Sequence, residues 1–106
     1  MNFNEYQKLA RSTAVYPEEY KVIYPALGLC GEAGEVAEKI KKTVRGDTSL
    51  DEVSGSIADE LGDVLWYLAI LADDLEVDLE DIAQGNVDKL QLRMKLNKIK
   101  GDGDNR

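Results

Sequence analysis

Apolar side chains recur every three or four residues along two long stretches of this chain, a period that fits amphipathic helices and excludes strands. In the first stretch Leu29, Ala33, Val36, Ala37, Ile40 and Val44 keep the repeat, and in the second Leu61, Val64, Leu65, Leu68, Leu71, Ala72 and Leu75 form a wider face. Helices of this kind must bury their faces against one another, so the expected fold is all-α, an antiparallel bundle of about four helices. The spacing predicts a first helix over roughly residues 4–12, with Phe3, Tyr6 and Leu9 on one side and Asn2 or Asn4 capping its start. Pro17 and Pro25 suit a first turn and not an interior, so a second helix starts near one of them and runs to about Val44. Residues 47–55 read as a polar loop, with Ser54 or Ser56 capping a third helix that reaches about Leu75. Asp78 followed by Asp81 reads as a capping box opening a fourth helix through about Ile99, with Ile82, Val87, Leu90 and Met94 as core positions. The 106 residues read as a single domain, with a core of about 20–99 and a non-helical, glycine-rich tail over 100–106.

Two acidic doublets interrupt the apolar pattern: Glu32 with Glu35, and Glu60 with Asp63, separated by 24 residues. Within each doublet the i, i+3 spacing puts both carboxylates on one helix face, so two packed helices can aim four of them at one point. Four like charges in one cleft repel, raising pKa values and costing stability, unless a cation balances them. The chain has no His. Oxygen-only ligands favour hard ions, with Mg²⁺ first, Mn²⁺ a substitute and Ca²⁺ also compatible. Gly31, Gly34 and Gly62 sit inside or beside the doublets, each costing about 1 kcal/mol relative to Ala in a helix. That cost points to tight helix packing, close access for a ligand, or both.

Charge and cysteine content narrow the function classes. A net charge of −8 argues against a protein built to grip nucleic acid backbones. Nucleotides, whose phosphates can arrive neutralised by metal, stay open. The single Cys30 cannot form an intrachain disulfide, and no basic segment precedes a long apolar run, so neither export nor membrane insertion is expected and the expected location is the cytoplasm. The absent Glu-x-x-His ligands disfavour a ferritin-like di-iron bundle. Asp102 and Asp104 start like a calcium loop, but the later ligands of such a loop are missing.

The segments Pro25-Ala-Leu-Gly-Leu-Cys-Gly-Glu-Ala-Gly-Glu-Val-Ala-Glu-Lys39, Asp59-Glu-Leu-Gly-Asp-Val-Leu-Trp-Tyr-Leu68 and Asn86-Val-Asp-Lys-Leu90 with Arg93 carry a family resemblance. Over roughly residues 27–93 the chain resembles the compact single-domain, MazG-like branch of the all-α NTP pyrophosphohydrolase superfamily, whose signature is ExxE followed by ExxD. The resemblance implies magnesium-dependent cleavage between the α and β phosphates of a nucleoside triphosphate, giving a monophosphate and pyrophosphate, with a nucleotide-pool house-cleaning role. It also implies that Glu32, Glu35, Glu60 and Asp63 are the metal ligands and the catalytic acids, and that the chain assembles as a homodimer or homotetramer with nucleotide near a subunit interface. Divalent metal fits that chemistry, since it cancels phosphate charge and lowers the pKa of water.

Other residues are candidates for substrate contact. Tyr67 lies at i+4 from Asp63 and i+7 from Glu60, where it can touch sugar or base or serve as a half-buried aromatic; Trp66, one step round, reads as packing. Lys42 can meet a phosphate or complement the helix dipole. Asn86, Lys89 and Arg93 share a face of the fourth helix and form a donor set for phosphate and sugar oxygens. Glu38 reads as an outer acid or as a solvated partner of Lys42. Two readings without turnover stand beside the enzyme: a metal-dependent nucleotide sensor that keeps the acids, and a helical adaptor that binds no nucleotide. Base, sugar, substrate damage, the number of ions and the identity of the general base are not encoded in any motif.

Overall fold

A computed structural model describes residues 1–96. Among them are four α-helices, α1 (Phe3–Ser12), α2 (Ile23–Arg45), α3 (Leu50–Asp74) and α4 (Leu79–Lys95), with a 3₁₀ turn at Glu18–Tyr20 and no strand. The all-α expectation holds. Pro25 falls in the first turn of α2, buried, as its missing N–H favours. The end of the expected fourth helix past residue 96, and the tail, lie outside the described residues.

The third helix starts earlier than the sequence suggested. Ser49, and neither Ser54 nor Ser56, is its cap: the Ser49 hydroxyl accepts the Glu52 N–H at 3.2 Å and the Glu52 carboxylate accepts the Ser49 N–H at 3.2 Å. This reciprocal pair satisfies two orphan donors and shrinks the expected nine-residue loop to residues 46–49. Gly46, at φ 91°, ends α2 in the left-handed conformation that glycine adopts freely. The capping box expected at Asp78 does not form, because Asp78 makes no side-chain cap bond. Gln7 on α1 does that work: its Oε1 accepts the Leu79 N–H at 3.1 Å, while its Nε2 donates to the carbonyls of Ala69 and Val77. One buried amide thereby fixes the corner between α3 and α4.

Helices α2 and α3 form the antiparallel hairpin that a short connector requires. Residue 28 faces 67, residue 32 faces 60 and 63, and residue 39 faces 60. The core, made of Ala10, Ala69, Ile70 and Leu79 with Tyr6, Leu65 and Trp66 against it, lies where α1 and the start of α4 cover the C-terminal half of α3. The other half of the hairpin is uncovered, leaving Val44 83% and Leu61 55% exposed. The expected core positions Ile82, Val87, Leu90 and Met94 are also exposed, since no described helix covers their face. A radius of gyration of 16.5 Å, against about 13 Å for a compact chain of this size, reflects that openness.

Asp74 joins three elements at the closed end. Its carboxylate accepts from Arg11 at 2.5 Å, from the Tyr16 hydroxyl at 2.6 Å and from the Val22 N–H at 2.9 Å. Burial pushes its pKa up, but the hydrogen bonds from Tyr16, Val22 and Arg11 and the guanidinium charge outweigh burial and hold it below the usual carboxylate range. Val22 itself stands at φ 69° and ψ −50° with the Ile23 N–H donating to the Lys21 carbonyl at 2.8 Å, which is a γ-turn. A β-branched residue in that region costs on the order of 1–3 kcal/mol and persists only where its surroundings enforce it.

Candidate functional site

One face of α2 carries Tyr24, Gly28, Glu32 and Lys39; the facing stripe of α3 carries Glu60, Asp63 and Tyr67. Antiparallel packing stacks these in order. Each of Glu32, Glu60 and Asp63 offers a carboxylate oxygen, and the three oxygens lie within 4.8 Å of one another. Glu35 is exposed and stands outside that group, though its charge acts on Glu32. A hydrogen bond with Glu60, then burial, then the charges of Glu60, Asp63 and Glu35 push the Glu32 carboxyl up to about 7. The anticipated repulsion is therefore present.

The donor set fits a hard divalent ion. All its atoms are carboxylate oxygens, the ligands that Mg²⁺ and Mn²⁺ prefer. Moreover, Glu60 Oε2 is buried without a hydrogen-bond partner, while Oε1 of the same group sits 3.8 Å from Lys39 Nζ. A buried carboxylate oxygen with no donor is costly, and a cation in the cluster would satisfy it.

Beyond the acids the hairpin holds an aromatic wall. The Tyr67 ring lies tilted against Tyr24 with centroids 6.2 Å apart and edge-on to Trp66 at 5.0 Å, and Tyr24 stacks on Tyr16 at 4.8 Å. The neighbouring Tyr24 hydroxyl first, then burial and the charges of Glu32 and Asp63 raise the Tyr67 pKa. Gly28 makes the approach possible, because a Cβ there would overlap the Tyr67 ring carbons Cε1, Cζ and Cδ1. Tyr16, Tyr24, Trp66 and Tyr67 line a cleft of about 410 Å³. Trp66 is fixed by its indole N–H donating to the Thr13 hydroxyl at 2.8 Å.

The remaining candidates are less concentrated. Lys42 is exposed and acts on Glu38, and the cation beside the acids is Lys39. Glu38 pairs with Lys41 at 2.9 Å, a bond that holds its pKa below the usual range. Asn86, Lys89 and Arg93 stand on α4, which packs against α1 and α3; Asn86 is exposed, Lys89 half-buried and Arg93 buried. Among the described residues, Gly31, Gly34 and Gly62 have no atom within 4 Å of where a Cβ would stand, so packing between the described helices does not require them. Tyr24, Gly28 and Lys39 were missed by the reading of motifs. Their signal was nonetheless present, since steps of four place Tyr24 and Gly28 in line with Glu32 and a further seven reach Lys39.

The MazG nucleotide pyrophosphohydrolase domain matches residues 25–96, a span that takes in both doublets and the facing stripes just described except Tyr24. The chain belongs to this family. Among relatives, the Gene 37 protein of Mycobacterium phage L5 is 41% identical over 114 residues, covering 100% of both chains. The uncharacterized protein YvdC of Bacillus subtilis (strain 168) is 36% identical over 74 residues, covering 63% of this chain and 70% of its own. No solved structure matches the chain. As a MazG-family member the chain is a hydrolase of nucleotide pyrophosphate bonds, and the clustered acids Glu32, Glu60 and Asp63 lie inside the matched span. No described helix is long and apolar enough to cross a membrane.

Proposed function

We propose that this chain hydrolyses a nucleoside triphosphate between its α and β phosphates, with Mg²⁺ as cofactor, taking up one water and releasing a nucleoside monophosphate and pyrophosphate. The observation carrying the reading is the convergence of Glu32, Glu60 and Asp63 within 4.8 Å around an unsatisfied Glu60 oxygen. These three would hold the ion, with Glu35 as a fourth donor. When bound, a divalent ion neutralises phosphate charge and acidifies water. Lys39 offsets the Glu60 charge and can turn toward an incoming phosphate, while the Tyr24–Tyr67 pair offers the nucleotide an apolar wall with phenol donors. Lys42, Asn86, Lys89 and Arg93 are assigned as further phosphate and sugar contacts, those on α4 from the same or a neighbouring subunit. Exposed Leu27, Val44, Leu50 and Leu61 along the hairpin support assembly as a homodimer or homotetramer.

The test is a panel of canonical and modified NTPs and dNTPs with Mg²⁺ or Mn²⁺, read by product analysis. Monophosphate plus pyrophosphate, abolished in Asp63→Asn with the fold intact, is the expected result. Orthophosphate plus diphosphate would refute the bond assignment, and nucleotide binding without turnover would make the chain a sensor.

A further inference from the structure

The strained turn before α2 lies away from the acids, yet a continuous set of contacts links it to the aromatic cleft. Helix α2 begins at Val22 with no side-chain cap of its own, and Asp74, reaching across from the end of α3, takes the Val22 N–H. That same carboxylate accepts the Tyr16 hydroxyl, and Tyr16 stacks on Tyr24 with ring planes 18° apart. Only Ile23 separates Tyr24 from Val22, so any change in the turn's φ swings the first turn of α2 and with it the Tyr24 ring. Tyr24 in turn lies against the Tyr67 ring, with centroids 6.2 Å apart and planes tilted by 51°.

We infer that Asp74 and the Val22 γ-turn together form a positioning device, in which a buried carboxylate holds a strained backbone so that Tyr24 and Tyr67 stand at a fixed separation along the aromatic cleft. Asp74 is a positioning residue: it touches none of the acids, and it acts on the cleft through the backbone of residue 22 and through the Tyr16 hydroxyl. Valine at this position gives the device its sensitivity. A glycine would adopt the same φ without help, whereas valine leaves it when the carboxylate clamp is weakened. The inference rests on the reading of the cleft as the nucleotide-binding wall only for its kinetic consequence; the placement of the rings is measurable without substrate.

The experiment compares the full-length wild type, Asp74→Asn, Val22→Gly and the double variant, well below their melting temperatures. Near-ultraviolet circular dichroism in the tyrosine band reports the Tyr16–Tyr24–Tyr67 arrangement, and KM and kcat for the best NTP with Mg²⁺ report its use. Asp74→Asn is expected to lose most of the tyrosine signal and to raise KM about tenfold with kcat changed less than about twofold, the mark of lost binding common to ground and transition states. Val22→Gly alone keeps both near wild type. The double variant recovers at least half of the lost tyrosine signal and most of the KM, because glycine no longer needs the clamp. A purely structural Asp74 would lower melting temperature while leaving signal and KM unchanged in the folded protein, or would show additive losses in the double variant; either result overturns the inference. If the wild type turns over no NTP, the proposed function fails, and the spectral rescue still decides this inference by its presence or absence. Should Asp74→Asn not fold, the comparison of Val22→Gly with the double variant decides: folding restored by glycine supports the clamp, and folding not restored refutes it.

Discussion

Binding a divalent ion to the acid cluster should expel a proton, and the amount follows from the geometry. In the metal-free protein the Glu32 carboxyl is pushed up to about 7 by its hydrogen bond with Glu60, burial and the surrounding acids. The carboxyl is then protonated in about nine-tenths of molecules at pH 6, half at pH 7 and a tenth at pH 8. A metal ligand must be ionised, so saturating with Mg²⁺ should release about 0.9, 0.5 and 0.1 proton per chain at those three values, and apparent affinity should strengthen about tenfold from pH 6 to pH 8. The folded-state sign runs the other way. A carboxyl whose folded pKa lies above its unfolded one stabilises below that unfolded value and loses the contribution as pH rises through about 7, so the metal-free melting temperature should fall from pH 5 to pH 8 and Mg²⁺ should restore it. Isothermal titration in two buffers of different ionisation enthalpy measures the proton count directly. Glu32→Gln should bring it to zero and flatten the pH dependence. A proton release that is the same at pH 6 and pH 8, or unchanged in Glu32→Gln, would refute the assignment of Glu32 as the proton-releasing ligand.

Other outcomes can be checked by thermal or chemical denaturation. Asp74→Ala leaves the Tyr16 hydroxyl and the Val22 N–H without their acceptor and Arg11 with Asp73 as its one carboxylate, and should cost about 2–4 kcal/mol, lowering the melting temperature by about 10 °C or more. Because the Asp74 pKa is depressed in the folded state, the stability it supplies is present above about pH 4 and should be lost on acidification below that, but not in the alanine variant. Gly28→Ala must displace the Tyr67 ring; a cost of about 1–3 kcal/mol with reduced turnover is expected, and wild-type behaviour would show the ring free to move. Glu76, at φ 60°, ends α3 in a left-handed conformation with the Val77 N–H donating to the Ala72 carbonyl, so Glu76→Gly should raise stability by about 0.5–1 kcal/mol.

The parts of the fold legible in the sequence were those written in periodicity. The helix-spaced apolar residues fixed α2 and α3 and their pairing, and the i, i+3 doublets marked the face on which Glu32, Glu60 and Asp63 meet. Boundaries set by a competing local bond were harder: Ser54 and Ser56 read as the cap, and the reciprocal bond with Glu52 puts it at Ser49 instead. Gln7 and Asp74 were invisible for another reason. Each caps a helix start from a distant part of the chain, and no local pattern records a cap supplied over 50 or more residues. The exposed apolar residues of α4 satisfied the pattern of a core face, but periodicity tells that a side is apolar and not whether anything lies against it.

The four-residue connector between α2 and α3 determines where this chain can change length. Adding a residue among 46–49 lets the surrounding turn absorb the excess, as surface turns do. Adding one between Leu50 and Glu60 instead rotates everything beyond it by about 100°, turning Glu60 and Asp63 away from Glu32. Insertions that keep the enzyme alive should therefore be confined to one tip of the hairpin, and that tip is the natural place to graft a tag or a second module.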